Sequence, residues 1–270
     1  MRSLLFVPGH VQRFFDKSLL TEAHAVIFDL EDAVPSDKRT LARENLVEAV
    51  SRDRGSKKLV VRINPSDSDD FAKDLEALKK GRIDFIMPTK VVDDEELVKI
   101  WDATEIPQIP LIETAKGLRN IDAISSHEFV VALALGAEDL MDDLQIRARG
   151  YQRMLNHVKL EMALACRASD KRCIDTPFLG LDDLEGYASS CRDSYGIGFD
   201  GRLCIHPSQI EFTNRYYYPS LEEQSFAMEI NQKLAEAADS GYSVIRWKGE
   251  LVGPPMIKRA KSILKAMKND

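Results

Sequence analysis

The sequence predicts a (β/α)8 TIM barrel, and three observations predict it. Eight short apolar runs recur along 270 residues. Each run is continuous rather than alternating, as expected for parallel strands buried on both faces. Turn chemistry and helical patterns separate the runs, with amphipathic stretches such as Asp69 to Lys80 and Gln152 to Ala168. Strands alternating with helices in this way suit a closed barrel better than an open doubly wound sheet.

The runs follow in order. Ser3 to Val7 ends at Pro8-Gly9, and Ala25 to Leu30 ends in the acidic Glu31-Asp32. Leu59 to Ile63 ends at Asn64-Pro65, and Phe85 to Met87 ends at Pro88. Gln108 to Ile112 ends at Glu113-Thr114, and Val130 to Leu135 ends at Gly136. Arg172 to Ile174 ends at Asp175-Thr176-Pro177, and Ile197 to Ile205 ends at His206-Pro207. Residues 1–210 form the expected barrel core. Residues 211–270 form a C-terminal helical extension, expected to cap the barrel or to pack on a neighbouring subunit. Its helical patterns are Leu221 to Ser240 and Pro254 to Met267, with a short extended hairpin at Tyr242 to Trp247 and Gly249.

Composition excludes several classes. At 44% hydrophobic and 30% charged the chain is neither disordered nor collagen-like. No apolar run approaches the roughly 18 residues of a membrane span. A net charge of -7 gives no bulk attraction for nucleic acid or an anionic membrane. Cys166, Cys173, Cys191 and Cys204 form no CxxC pair, so reduced structural thiols in a cytoplasmic protein are expected.

In a barrel of this kind the chemistry sits at the C-terminal strand ends. Those ends carry Asp29, Glu31, Asp32, Arg62, Asn64, Lys90, Glu113, Asp139, Asp175 and His206. Carboxylates from different strands beside one guanidinium suit a hard divalent cation holding an anionic ligand. Mg2+ fits better than Zn2+, which favours His or Cys ligands. Asp29 lies inside an apolar strand run and is expected to face the barrel mouth. Arg62, flanked by Val60, Val61 and Ile63, needs a carboxylate or a ligand anion as partner. Glu31 and Asp32 are the pairing candidates, and such a pair would aim the guanidinium at a substrate carboxylate. Glu113 and Asp139 end consecutive strands and make a candidate metal site. Gly136 permits a sharp turn, after which amides opening the next helix can bind an anion. His206 reads as a structural residue of the last strand end, and no nucleophile elbow is present.

Taken in order, Arg2-Ser-Leu-Leu-Phe-Val-Pro-Gly9, Asp29-Leu-Glu-Asp-Ala-Val-Pro35, Lys38 with Ala42-Arg43, Val61-Arg-Ile-Asn64, Glu113-Thr-Ala, Gly136-Ala-Glu-Asp139-Leu and Gly198-Phe-Asp-Gly-Arg-Leu-Cys-Ile-His-Pro-Ser-Gln-Ile210 form a pattern. The chain resembles the citrate lyase β-subunit and its relatives, the CoA-ester lyases of the HpcH/HpaI aldolase superfamily. That resemblance implies a TIM barrel assembled as a homotrimer or hexamer. It also implies Mg2+ held by Glu113 and Asp139, with Arg62 as the catalytic, substrate-binding arginine. Gly136, Ala137, Glu138 and Asp139 would hold the substrate carboxylate, and Asp29, Glu31, Asp32 and Lys38 would form the supporting shell.

The implied reaction is carbon–carbon cleavage or formation between a small keto acid and a CoA or acyl-carrier-protein thioester. The substrate is a 3-hydroxy-acid thioester of the citryl, malyl or citramalyl type. Two departures from the relatives stand out. Their Pro-Lys is Pro88-Thr89-Lys90 here, and the aspartate of their C-terminal Met-(Ile/Val)-Asp-x-Pro motif is Gly253. Because that aspartate serves the thioester enolate as acid or base, two other readings stand beside the lyase. One is a protein that binds metal and keto acid without turnover. The other is an aldolase acting on a non-thioester substrate.

Overall fold

The computed structural model describes residues 1–239 and 245–268. Eight parallel strands run in order: β1 (Ser3–Pro8), β2 (Ala25–Asp29), β3 (Lys58–Arg62), β4 (Phe85–Met87), β5 (Leu111–Ile112), β6 (Ala132–Leu135), β7 (Arg172–Asp175) and β8 (Gly201–Cys204). Their ladder order is β4-β3-β2-β1-β8-β7-β6-β5. The ring closes between β4 and β5 through Gln108, which bridges in parallel to both Ile86 and Val130. Backbone bonds from Ile109 N to Ile86 O (2.8 Å) and from Leu111 N to Pro88 O (2.9 Å) continue that seam. The sequence runs overstate β5, β6 and β8. Around Pro110 the chain is tied by single bonds rather than a full ladder, and at Gly198 it turns through a positive φ of 104° before β8 begins.

The two faces of each strand divide by their period of two. Leu4, Ile27, Val60, Leu111, Ala134, Ile174 and Leu203 fill the barrel interior. Residues of the other parity, such as Phe28, Val61, Leu133 and Cys173, face outward and pack with buried helix residues. Two positions beyond the interior layer come Phe6, Asp29, Arg62, Glu113, Gly136 and Thr176. One further interior layer at the C-terminal mouth thus collects polar residues from four strands, β2, β3, β5 and β7. All four cysteines are buried and free. Among the described residues no helix is long and apolar enough to cross a membrane.

The barrel unit runs from Met1 to Tyr217. A division at 210 would cut the helix Ser208–Tyr216, whose Thr213 is buried and accepts or donates a 2.6 Å bond with the Tyr187 hydroxyl. The second unit, from Tyr218 onward, has its own small core of Ala227, Ile230, Ile245, Val252, Ala260 and Ile263. Helices Leu221–Asp239 and Pro254–Lys268 flank an antiparallel hairpin of β9 (Ile245–Trp247) and β10 (Glu250–Val252). The Lys248-Gly249 turn has positive φ at both residues, 46° and 87°, as a type I′ hairpin turn requires. The part of the expected hairpin at 242–244 lies outside the described residues.

Candidate active site

Register places Arg62 at the end of β3 directly opposite Asp29 of β2. The guanidinium grips that carboxylate twice, Nε to Oδ1 at 2.8 Å and Nη2 to Oδ2 at 2.6 Å. Asp29 also accepts the amides of Glu31 (2.9 Å) and Ala33 (3.0 Å), so its geometry is determined on all sides. The remaining Nη1 lies 3.3 Å from Glu31 Oε2 and 3.6 Å from Asp32 Oδ2. The Phe6 ring lies beneath, its centroid 4.7 Å from the guanidinium carbon. Asp29, rather than Glu31 or Asp32, is therefore the principal partner of Arg62. Burial opposes the arginine's charge, yet Asp29, Glu31 and Asp32 together raise its basicity above the usual value. With Nε committed to Asp29, the edge of Arg62 left for a ligand is the Nη1 side.

The carboxylates opposite it are uneasy. Glu113 is nearly buried, with 3% exposure. Burial first, then the charges of Asp139 and Glu31, push its carboxyl up to about 8, while the Lys90 amide and Arg62 oppose the shift. That amide donates to Glu113 Oε1 at 2.7 Å. To do so, Lys90 adopts a left-handed φ of 52°, unusual for a residue with a Cβ. Glu31 is pushed up to about 7 by burial, against the pull of Arg62 and with Asp32 adding to the rise. Lys90 Nζ lies 3.9 Å from Glu31 Oε1. At Gly136, any Cβ would meet Glu113 Oε2 at 2.6 Å. The glycine is therefore what lets β6 pass beside that carboxylate.

The other candidates fall in different places. The Gly136 amide donates to Ile112 O (3.1 Å) and that of Ala137 to Thr176 Oγ1 (3.2 Å). Neither is left for a ligand; Glu138 and Asp139, in the first turn of helix Ala137–Asp143, have no intrahelical acceptor for theirs. Both side chains are exposed, and the Tyr151 hydroxyl donates to Glu138. Lys38 is not brought to Arg62: it is exposed, with an ion pair to Asp37 at 3.7 Å. Asn64 is held by Asp74, and His206 is exposed beside Ser208. Asp175 faces out of the barrel instead of into the mouth, because it shares the parity of Cys173. Phe6 and Thr176 were open to discovery by counting two from Leu4 and Ile174, and Lys90 contributes through its backbone, which no sequence motif signals.

Chemically, buried or adjacent carboxylates without a neutralising group between them favour either protons or a cation. Among the described residues Glu113 forms no ion pair, and its donor atoms with those of Asp139 are all oxygen. Among the described residues no three His, Cys, Asp or Glu side chains group to hold a metal. A cation at Glu113 and Asp139 would take two protein ligands and complete its shell with water or ligand oxygens. That is how Mg2+ is commonly bound, so the residues present fit it.

Comparison with known proteins identifies the family. The family model for HpcH/HpaI aldolase/citrate lyase matches residues 2–207. The chain is similar to citrate lyase subunit beta of Leuconostoc mesenteroides subsp. cremoris, 30% identical over 98% of this chain and 92% of the relative. It is 32% identical to a (3S)-malyl-CoA thioesterase of Cereibacter sphaeroides, covering 97% and 93% of the two chains. Among solved structures it resembles protein CitE from Mycobacterium tuberculosis in complex with magnesium, acetoacetate and coenzyme A. That likeness has a TM-score of 0.83 at 31% identity and covers 99% of this chain and 98% of the other. The citrate lyase beta subunit of the same organism with oxaloacetate and magnesium matches with a TM-score of 0.73 at 32% identity, over 80% and 96%.

Proposed function

As the chain belongs to the HpcH/HpaI aldolase/citrate lyase family of lyase-type enzymes, we propose that it acts on a 3-hydroxy-acid thioester of citryl, malyl or citramalyl type. Cleavage would release a keto acid and an acyl thioester, carried on CoA or on an acyl-carrier protein. The observation that carries this reading is the buried Glu113, with Asp139 nearby, facing an arginine whose orientation Asp29 dictates. Glu113 and Asp139 would hold Mg2+, which when bound supplies Lewis-acid stabilisation of negative charge on the substrate oxygen. Arg62 would present its Nη1 edge to the keto-acid oxygens, with Glu31 and Asp32 limiting how far it swings. The amides of Glu138 and Asp139 would receive the substrate carboxylate.

A second reading, binding without turnover, is favoured by Gly253. Relatives of the resembled family place an aspartate there, and this chain has no carboxylate at that position. A Cβ at 253 would meet only Pro255 Cδ, at 3.7 Å, so an aspartate fits. We expect slow keto-acid release from a citryl-, malyl- and citramalyl-CoA panel with Mg2+. Gly253→Asp should raise it by about 10²–10⁴, the usual contribution of general acid–base catalysis. Fast release that Gly253→Asp leaves unchanged would show that another group moves the proton. No release from either protein would reject the lyase reading in favour of binding alone. We further propose that the assembly is a homotrimer or hexamer.

A further inference from the structure

Outward of β7 and β8, on the opposite side of those strands from the barrel interior, two cations share one carboxylate. Asp175 is fully buried, Arg202 is 1% exposed and Lys159 is 7% exposed. Asp175 Oδ1 accepts Lys159 Nζ (2.9 Å) and the Thr176 amide (2.9 Å). Its Oδ2 accepts Ser194 Oγ (2.6 Å), Tyr217 OH (3.3 Å) and Arg202 Nη2. The carboxylate has no capacity left. Arg202 also reaches Ser190 Oγ (2.7 Å) and Cys191 Sγ (3.2 Å), while its Nε is buried without a hydrogen-bond partner. Among the described residues bonded within the cluster, Asp175 is the only carboxylate. Burial pushes the Cys191 thiol up to about 11 and the Tyr187 and Tyr217 hydroxyls well above their usual range, so all three stay neutral. A buried positive charge without its own partner is costly.

Directly against this cluster lies a cavity of about 810 Å3, with Lys159 and Arg202 both in its lining. It opens between the helices Tyr151–Ala168 and Leu184–Gly196. Ser190 and Ser194 add hydroxyls, and Leu155, Phe178 and Leu179 give an apolar wall. The carboxylates of Glu138 and Asp193 stand at the exposed rim, where water screens them.

We infer that this cleft binds a small oxyanion, carboxylate or phosphate, whose charge completes the Lys159–Asp175–Arg202 cluster and whose apolar part rests on Leu155 and Phe178. The cleft borders the barrel mouth at Thr176 and Glu138 but is not lined by Arg62 or Glu113, so its occupancy is expected without Mg2+.

The test is calorimetry on the full chain in EDTA, with inorganic phosphate and isobutyrate as probes. Lys159→Met leaves Asp175 paired with Arg202 and removes the excess charge. Ser189→Phe fills the cleft from an exposed position on its wall without touching the cluster. We expect saturable one-to-one binding of at least one probe, weakened tenfold or more in each variant. Preference for phosphate or for isobutyrate then identifies the ligand class. Absence of binding to the parent chain, or binding that survives both variants, would overturn the inference. So would a fall in sedimentation mass on Ser189→Phe with no anion bound by the parent, which would assign the cleft to a second copy of the chain.

Discussion

Glu113 is the residue on which the proposed chemistry turns, and its environment makes a pH prediction. Its carboxyl rises from an ordinary 4.5 to about 8 because burial and the neighbouring Asp139 and Glu31 charges penalise ionisation. In the metal-free protein the folded state keeps a proton that the unfolded chain has lost across that window. Stability from this group is therefore present at low pH and falls as pH rises from 4.5 toward 8. Mg2+ needs the ionised form, so its affinity should rise with pH to about 8, and binding at pH 7 should release protons. Calorimetry in buffers of different ionisation enthalpy measures that release; pH-independent affinity without proton release would contradict the assignment. Arg62 makes a second prediction. Lysine keeps the charge but loses the two-point grip on Asp29. We expect Arg62→Lys to weaken pyruvate and oxaloacetate binding by about 1–3 kcal/mol, the scale of a charge-assisted hydrogen bond. Equal affinities in both proteins would remove Arg62 from substrate recognition.

Strands and their loops explain what the sequence reveals and what it hides. Continuous apolar runs expose all eight strands, because parallel strands buried on both faces cannot alternate. The acidic and basic strand ends follow from the same reading, and so do Arg62, Glu113 and Asp139. Pairing register is another matter. Asp29 lies opposite Arg62 because β2 and β3 align Ala25 with Lys58, a relation between distant segments that local spacing does not carry. Asp175 ends a strand just as Glu113 does, but stands on the outward parity and joins Lys159 instead. The turn after β4 also escapes sequence reasoning, since its contribution is the Lys90 backbone amide rather than a side chain. The β6 end gives a direct structural prediction. Gly136→Ala would place its methyl 2.6 Å from Glu113 Oε2 and 2.7 Å from Glu113 Cβ. Overpacking of this kind costs about 1–3 kcal/mol. Thermal melts should show that loss together with weaker Mg2+ binding, and a melt unchanged from the parent would mean that β6 shifts freely away.

At the scale of the whole chain, a barrel from Met1 to Tyr217 and a small unit beyond it each carry their own apolar core. The barrel supplies Arg62, Glu113 and Asp139, whereas Gly253 belongs to the second unit. Metal and keto-acid binding should therefore survive changes at Gly253 that alter turnover. Sedimentation should give three or six times the 30.4 kDa chain mass; a monomer would reject the proposed assembly. Foremost is the proposal that Glu113 and Asp139 together hold one Mg2+. Its most direct measurement is a calorimetric Mg2+ titration of the parent and of Glu113→Gln combined with Asp139→Asn, with folding of both checked by circular dichroism. One saturable site in the parent that is lost in the folded double variant is the predicted result; the same Mg2+ affinity in both proteins would contradict it.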